Sequence, residues 1–124
     1  MTNTLFLTIH SIIYTVFALA LFFFPEQIWP IYGVNINDKY AYFLSQHTSI
    51  FLGGIAAVTY LLSKTNHKQT EVQLLKSLIV TNTLGVVITL YAGFTNIFTG
   101  LGWSDPLFFF ILTIMSFYQL KKIR

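Results

Sequence analysis

The chain has 124 residues, of which 55% are apolar, 18% aromatic and only 9% charged, too little polar surface for an ordinary water-soluble domain. Its net charge of +3 would suit a nucleic-acid binder, but the basic residues sit in two small clusters instead of one broad face. The absence of cysteine excludes disulfides, thiolate metal sites and thiol redox chemistry together.

Four nearly uncharged stretches, about 5–24, 41–62, 72–94 and 106–122, approach the ~20 apolar residues that a helix needs to cross a bilayer core. They predict an all-α, polytopic membrane protein: one domain, a four-transmembrane-helix bundle. In the first stretch Ala18-Leu19-Ala20 has the small-x-small pattern of a signal-peptidase site. No Lys or Arg precedes the apolar run, however, and Leu21–Phe24 continues it, so the segment is expected to be a retained span. His10 and Tyr14 form an i,i+4 pair able to share a hydrogen bond, and Pro25 marks the stop or bend of the helix.

The connection that follows holds Ile28-Trp29-Pro30-Ile31-Tyr32-Gly33. Trp29, Tyr32, Tyr40 and Tyr42 fit an interfacial aromatic belt, with Trp103 joining them from the later connection. The alternative is that this loop folds over the bundle as a lid on a ligand pocket. Asn37 or Asp38 is the expected cap of the second span. That span carries Ser49, Gly53 and Ala57 at intervals of four, the third carries Thr81, Gly85, Thr89 and Gly93, and the two ladders are expected to face each other as small-residue packing surfaces. Gln46, Asn82 and Thr89 extend these faces, either as polar glue between the two helices or as the lining of a small polar cavity. His47 lies about 100° around the helix from Gln46. An ionisable residue inside a span is a functional candidate by default, against the plainer expectation of an enclosed ring bonded to a neighbouring helix.

Thr70-Glu71-Val72-Gln73 fits a capping box opening the third helix, with His67 a solvated residue of the preceding loop. Ser104-Asp105-Pro106 suggests an Asp cap and a first-turn proline for the fourth. Lys64, Lys68 and Lys76 flank the middle connection, and Lys121, Lys122 and Arg124 end the chain, leaving only Lys39 on the other side. The Lys/Arg bias therefore puts both termini in the cytoplasm.

Catalytic signatures are few. There is no HExxH, Gly-rich phosphate loop or paired intramembrane acid, and His10 and His47 should lie in opposite leaflets, too far apart to share a metal. No metal, cofactor or catalytic residue is assigned. The layout of Phe24-Pro25, an aromatic loop ending Tyr32-Gly33, and Phe51-Leu52-Gly53-Gly54 resembles small four-helix bacterial inner-membrane proteins of the DoxX-like kind and related families of unknown function. The resemblance implies a four-span bundle, in some cases linked to quinone-associated or oxidative-stress complexes. Where many of them have an arginine or carboxylate near the start of helix two, this chain has Gln46-His47, so no site residue is carried over.

The expected protein is thus a multi-pass protein of the cell membrane, in the bacterial inner membrane. It would be a non-enzymatic accessory or assembly subunit, or a binder of a lipophilic small molecule, with Gln46, His47, Asn82, Thr89, Trp29 and Trp103 as candidate ligand-binding residues. Its partners would be the lipid bilayer, such a molecule or another membrane protein, and a second copy of itself, but no nucleic acid. The alternative is a small membrane enzyme or transporter using His47 with Glu26, Asp38 and Asp105.

Overall fold

The computed structural model describes residues 1–124. All regular structure is helical: α1 (Asn3–Phe23), the single-turn α2 (Pro25–Ile28), α3 (Lys39–Leu61), α4 (Lys68–Phe94) and α5 (Ser104–Ile123), with 3-10 turns at Trp29–Tyr32 and Gly100–Trp103. The chain forms two compact units, Met1–Lys64 and Thr65–Arg124. Each is a helical hairpin, α1 against α3 in the first and α4 against α5 in the second. Three helical segments are long and apolar enough to cross a membrane: Asn3–Phe23, Lys68–Phe94 and Gly100–Ile123. The stretch expected at 41–62 does form a helix of 23 residues. A polar run, Ser45-Gln46-His47-Thr48-Ser49, interrupts its apolar stretch.

In the first unit, Thr2 caps α1 by accepting from the Leu5 amide at 3.1 Å. The other end is set by Pro25. In a continuing helix the carbonyl of Leu21 would accept from the amide of residue 25, and proline has none. The Ser45 hydroxyl of α3 takes that place, donating to Leu21 O at 2.8 Å. One residue on, the Gln46 amide donates to Phe22 O at 3.3 Å. The side chains of α3 therefore finish the C-terminus of α1, where open carbonyls need donors.

After α2 the chain closes through the 3-10 turn on Gly33, whose φ of 86° is costly for residues with a Cβ. Asp38 then caps α3, its carboxylate accepting from the Ala41 amide at 2.8 Å. The buried stripe of α3 is small and hydroxyl-bearing: Ser45, Ser49, Ala56 and Thr59. Of the expected ladder Ser49, Gly53 and Ala57, only Ser49 belongs to this stripe. Steps of four residues advance about 40° beyond a full turn, and Ala57 has rotated out to an exposed position. Gly53 remains half-buried, with a would-be Cβ 3.9 Å from the Ala18 methyl of α1.

In the second unit α4 starts earlier than the capping box suggests. His67 is the cap: its Nδ1 accepts from the Thr70 amide at 3.3 Å and lies 3.0 Å from the Thr70 hydroxyl. The expected Asp105 cap of α5 is also replaced. The 3-10 turn Gly100–Trp103 runs straight into the helix, so Trp103 stands at the cap position without a side-chain bond and Asp105 falls in the first turn. The hairpin closes through aromatic rings laid on glycines. A Cβ on Gly85 would fall 2.6 Å from the Phe109 ring, and one on Gly93 would fall 2.7 Å from the Trp103 indole. The neighbours that need these glycines within the unit are thus aromatic residues of the following segment, so Gly85 and Gly93 of the ladder are seats for rings.

Candidate functional site

A cleft of about 370 Å³ opens at the connection end of the first unit. Glu26 from α2 borders it, with Asp38, Lys39, Tyr42, Phe43 and Gln46 from the start of α3, and Ile36 and Asn37 complete the lining. The fold holds these groups in place through a short chain of bonds. The Trp29 indole donates to Ser45 Oγ at 2.8 Å, and Ser45 donates in turn to Leu21 O. This pins the α2 segment, and Glu26 with it, onto the α1–α3 hairpin. On α3, the positions 39, 42, 43 and 46 share one face because they are three, four and seven residues apart.

The polar groups facing the cleft are largely unused by the protein. Glu26 makes no hydrogen bond or ion pair, and the Tyr42 phenol has no partner. Gln46 spends its amide nitrogen on Phe22 O and keeps its carbonyl oxygen. Asp38 uses one oxygen as a cap and keeps the other. No ion pair joins Lys39 to either acid; its ammonium lies 5.3 Å from the centre of the Tyr40 ring. The cleft thus offers acceptors from Glu26, Asp38 and Gln46 and donors from Lys39 and Tyr42, beside the Phe43 ring. No group of three or more His, Asp or Glu side chains is placed to hold a metal ion.

The expected site residues distribute as follows. Gln46 lines the cleft. Trp29 supports it from behind, its ring edge-on to Tyr32 with centroids 6.0 Å apart. His47 does not line it, and the enclosed, bonded ring expected for a structural histidine is not found either. Its ring is exposed on α3 between Phe43 and Phe51, with centroid separations of 5.8 and 5.4 Å. The side chain points away from Gln46 as the 100° offset requires, so Glu26 and Asp38 share a cleft without it.

Asn82, Thr89 and Trp103 belong to the second unit. Asn82 is fully buried and donates to Leu78 O at 3.0 Å. Thr89 donates back to Gly85 O at 2.6 Å, the i−4 bond with which helical threonines satisfy themselves in their own helix. Trp103 covers Gly93 and meets Phe94 edge-on at 5.4 Å. In α1, His10 and Tyr14 stack at 4.7 Å and 17°, so their rings pack face to face.

Lys39, Tyr42 and Phe43 were not among the sequence candidates for binding. Their i, i+3, i+4 spacing, with Gln46 four residues beyond Tyr42, is the signal that places them on one face, and the same Lys and Tyr types also suit a membrane interface. No family model, curated protein or solved structure matches the chain.

Proposed function

We propose that the chain is a four-span protein of the cell membrane, with both termini cytoplasmic, that binds the polar end of a lipophilic molecule in the cleft of its first unit without transforming it. The observation that carries the reading is the set of polar groups without a hydrogen-bond or ion-pair partner, Glu26, Lys39, Tyr42 and the Gln46 carbonyl, gathered around an open cleft at the end of an apolar hairpin. A volume of about 370 Å³ is near the lower end of the ~300–1,000 Å³ typical of small-molecule sites, which suits a head group better than a whole lipid.

Several features support α3 as the fourth span. Its 23 residues extend about 35 Å at 1.5 Å each, enough for a ~30 Å core. Its hydroxyls at Ser45 and Ser49 are bonded to carbonyls, which lowers the cost of carrying them in lipid. Its outward side bears Phe43, Leu44, Ile50, Phe51, Val58 and Leu61, all more than half exposed, an apolar surface suited to acyl chains. The DoxX-like resemblance agrees with this layout and contributes no site residue.

The test is native mass spectrometry of the protein extracted from its own membrane in mild detergent. A retained lipophilic adduct is expected in the wild type, with much lower occupancy in Tyr42→Ala, which opens one wall of the cleft. Absence of any adduct in the wild type would overturn the reading.

A further inference from the structure

The charges of the cleft define a ligand more narrowly. Two carboxylates, Glu26 and Asp38, and one ammonium, Lys39, face the same open volume without neutralising one another. A simple cation would meet Lys39, and a simple anion would meet two acids; a molecule carrying both signs satisfies both walls. The acceptors are oxygen atoms of Glu26, Asp38 and Gln46, which suit a primary ammonium with its three N–H donors. No cage of aromatic faces of the kind that holds a quaternary ammonium surrounds the cleft; the Tyr40 ring is already matched by Lys39. Lys39 and the Tyr42 hydroxyl supply donors for a phosphate.

The cleft also has an apolar exit. Phe43 belongs to its lining and begins a row with His47 and Phe51, at successive four-residue steps on the exposed side of α3. An acyl chain leaving the head group would lie along this row.

Resting on the lipophilic-ligand reading above, we infer that the cleft is a site for a phospholipid with a primary ammonium–phosphate head group, of the phosphatidylethanolamine class, its ammonium at Glu26 and Asp38 and its phosphate at Lys39. His47 then acts as part of the acyl-chain track, which accounts for an exposed ring flanked by two phenylalanines.

The test uses full-length, delipidated protein titrated with defined lipids in detergent, read by native mass spectrometry. Phosphatidylethanolamine is expected to bind about tenfold more tightly than phosphatidylglycerol or phosphatidylcholine of equal chain length, the scale of one lost charge-assisted bond. Glu26→Gln should weaken phosphatidylethanolamine by a similar factor and leave phosphatidylglycerol unchanged or improved. Since Glu26 is exposed and has no partner in the protein, that variant keeps every bond of the hairpin. Equal binding of the choline lipid would overturn the primary-ammonium assignment. Displacement by free phosphoethanolamine at the same concentration would assign the site to a soluble zwitterion and overturn the lipid. Preference for phosphatidylglycerol, with occupancy still sensitive to Tyr42→Ala, would sink this inference and leave the proposed function standing. No retention of any lipid would remove both.

Discussion

Ser45→Ala tests how the first hairpin is held together. The serine donates to Leu21 O and accepts from the Trp29 indole, each at 2.8 Å, and is only 5% exposed. Removing it leaves a carbonyl that no backbone amide can serve, because residue 25 is proline. Interhelical hydrogen bonds in membrane proteins average ~0.6 kcal/mol with a maximum near ~1.7, and a buried group left unpaired costs about 1–3 kcal/mol. With the carbonyl near the middle of that range and the indole bond near the average, the loss should be about 2.5 kcal/mol. Equilibrium unfolding in detergent measures it, followed by the helical circular-dichroism signal. Trp29→Phe keeps a ring but removes the N–H. Combined with Ser45→Ala, it should show a coupling of about 0.6 kcal/mol, since the indole bond is lost only once. A change under about 0.5 kcal/mol for Ser45→Ala, or strict additivity in the pair, would refute the bonding scheme.

Two further outcomes are expected. Gly85→Ala should destabilise by about 1–3 kcal/mol, because its methyl would meet the Phe109 ring near its attachment, whereas Gly54→Ala, with nothing within 4 Å, should be neutral or stabilising by up to ~1 kcal/mol; thermal melts of both in one detergent decide this, and equal effects would contradict the packing described. Cysteines at Asn66 and Ser104 should react with an impermeant maleimide from opposite sides of the membrane in right-side-out and inverted vesicles, and labelling of both from one side would rule out four spans.

The long helices were legible in the sequence because apolar length and rare charge are strong signals that need no tertiary information. Their ends were less so. Asp38 and Pro25 act where their chemistry suggests, since a carboxylate cap and a missing amide act locally. His67 displaced Thr70 as a cap because an imidazole nitrogen does the same work as a hydroxyl and lay one turn earlier, a use that residue preference scarcely registers. The glycine ladders were visible as small residues, but spacing alone does not say what comes close to them. Phe109 and Trp103 do so in the second unit, while the four-residue rhythm of α3 drifted off its buried side by Ala57. For the cleft, the sequence points to Gln46, Glu26 and Asp38, while Lys39 reads only as a topology charge and Tyr42 as part of the aromatic belt. Their convergence depends on the turn at Gly33 and on the Trp29–Ser45 bond, which link positions sixteen residues apart.

The proline after α1 has a consequence for how the protein is made. On the four-span reading, a first helix leaving the ribosome ahead of α3 enters the bilayer with the Leu21 carbonyl open, and nothing in its own sequence can close it. The helix is complete only when residues 45 and 46 arrive. On the same reading, insertion of the two as a pair, rather than one after the other, is the course that spares the membrane an unsatisfied carbonyl. A chain cut in the 33–38 loop would have to find by diffusion a donor that the intact loop delivers within a few seconds of synthesis.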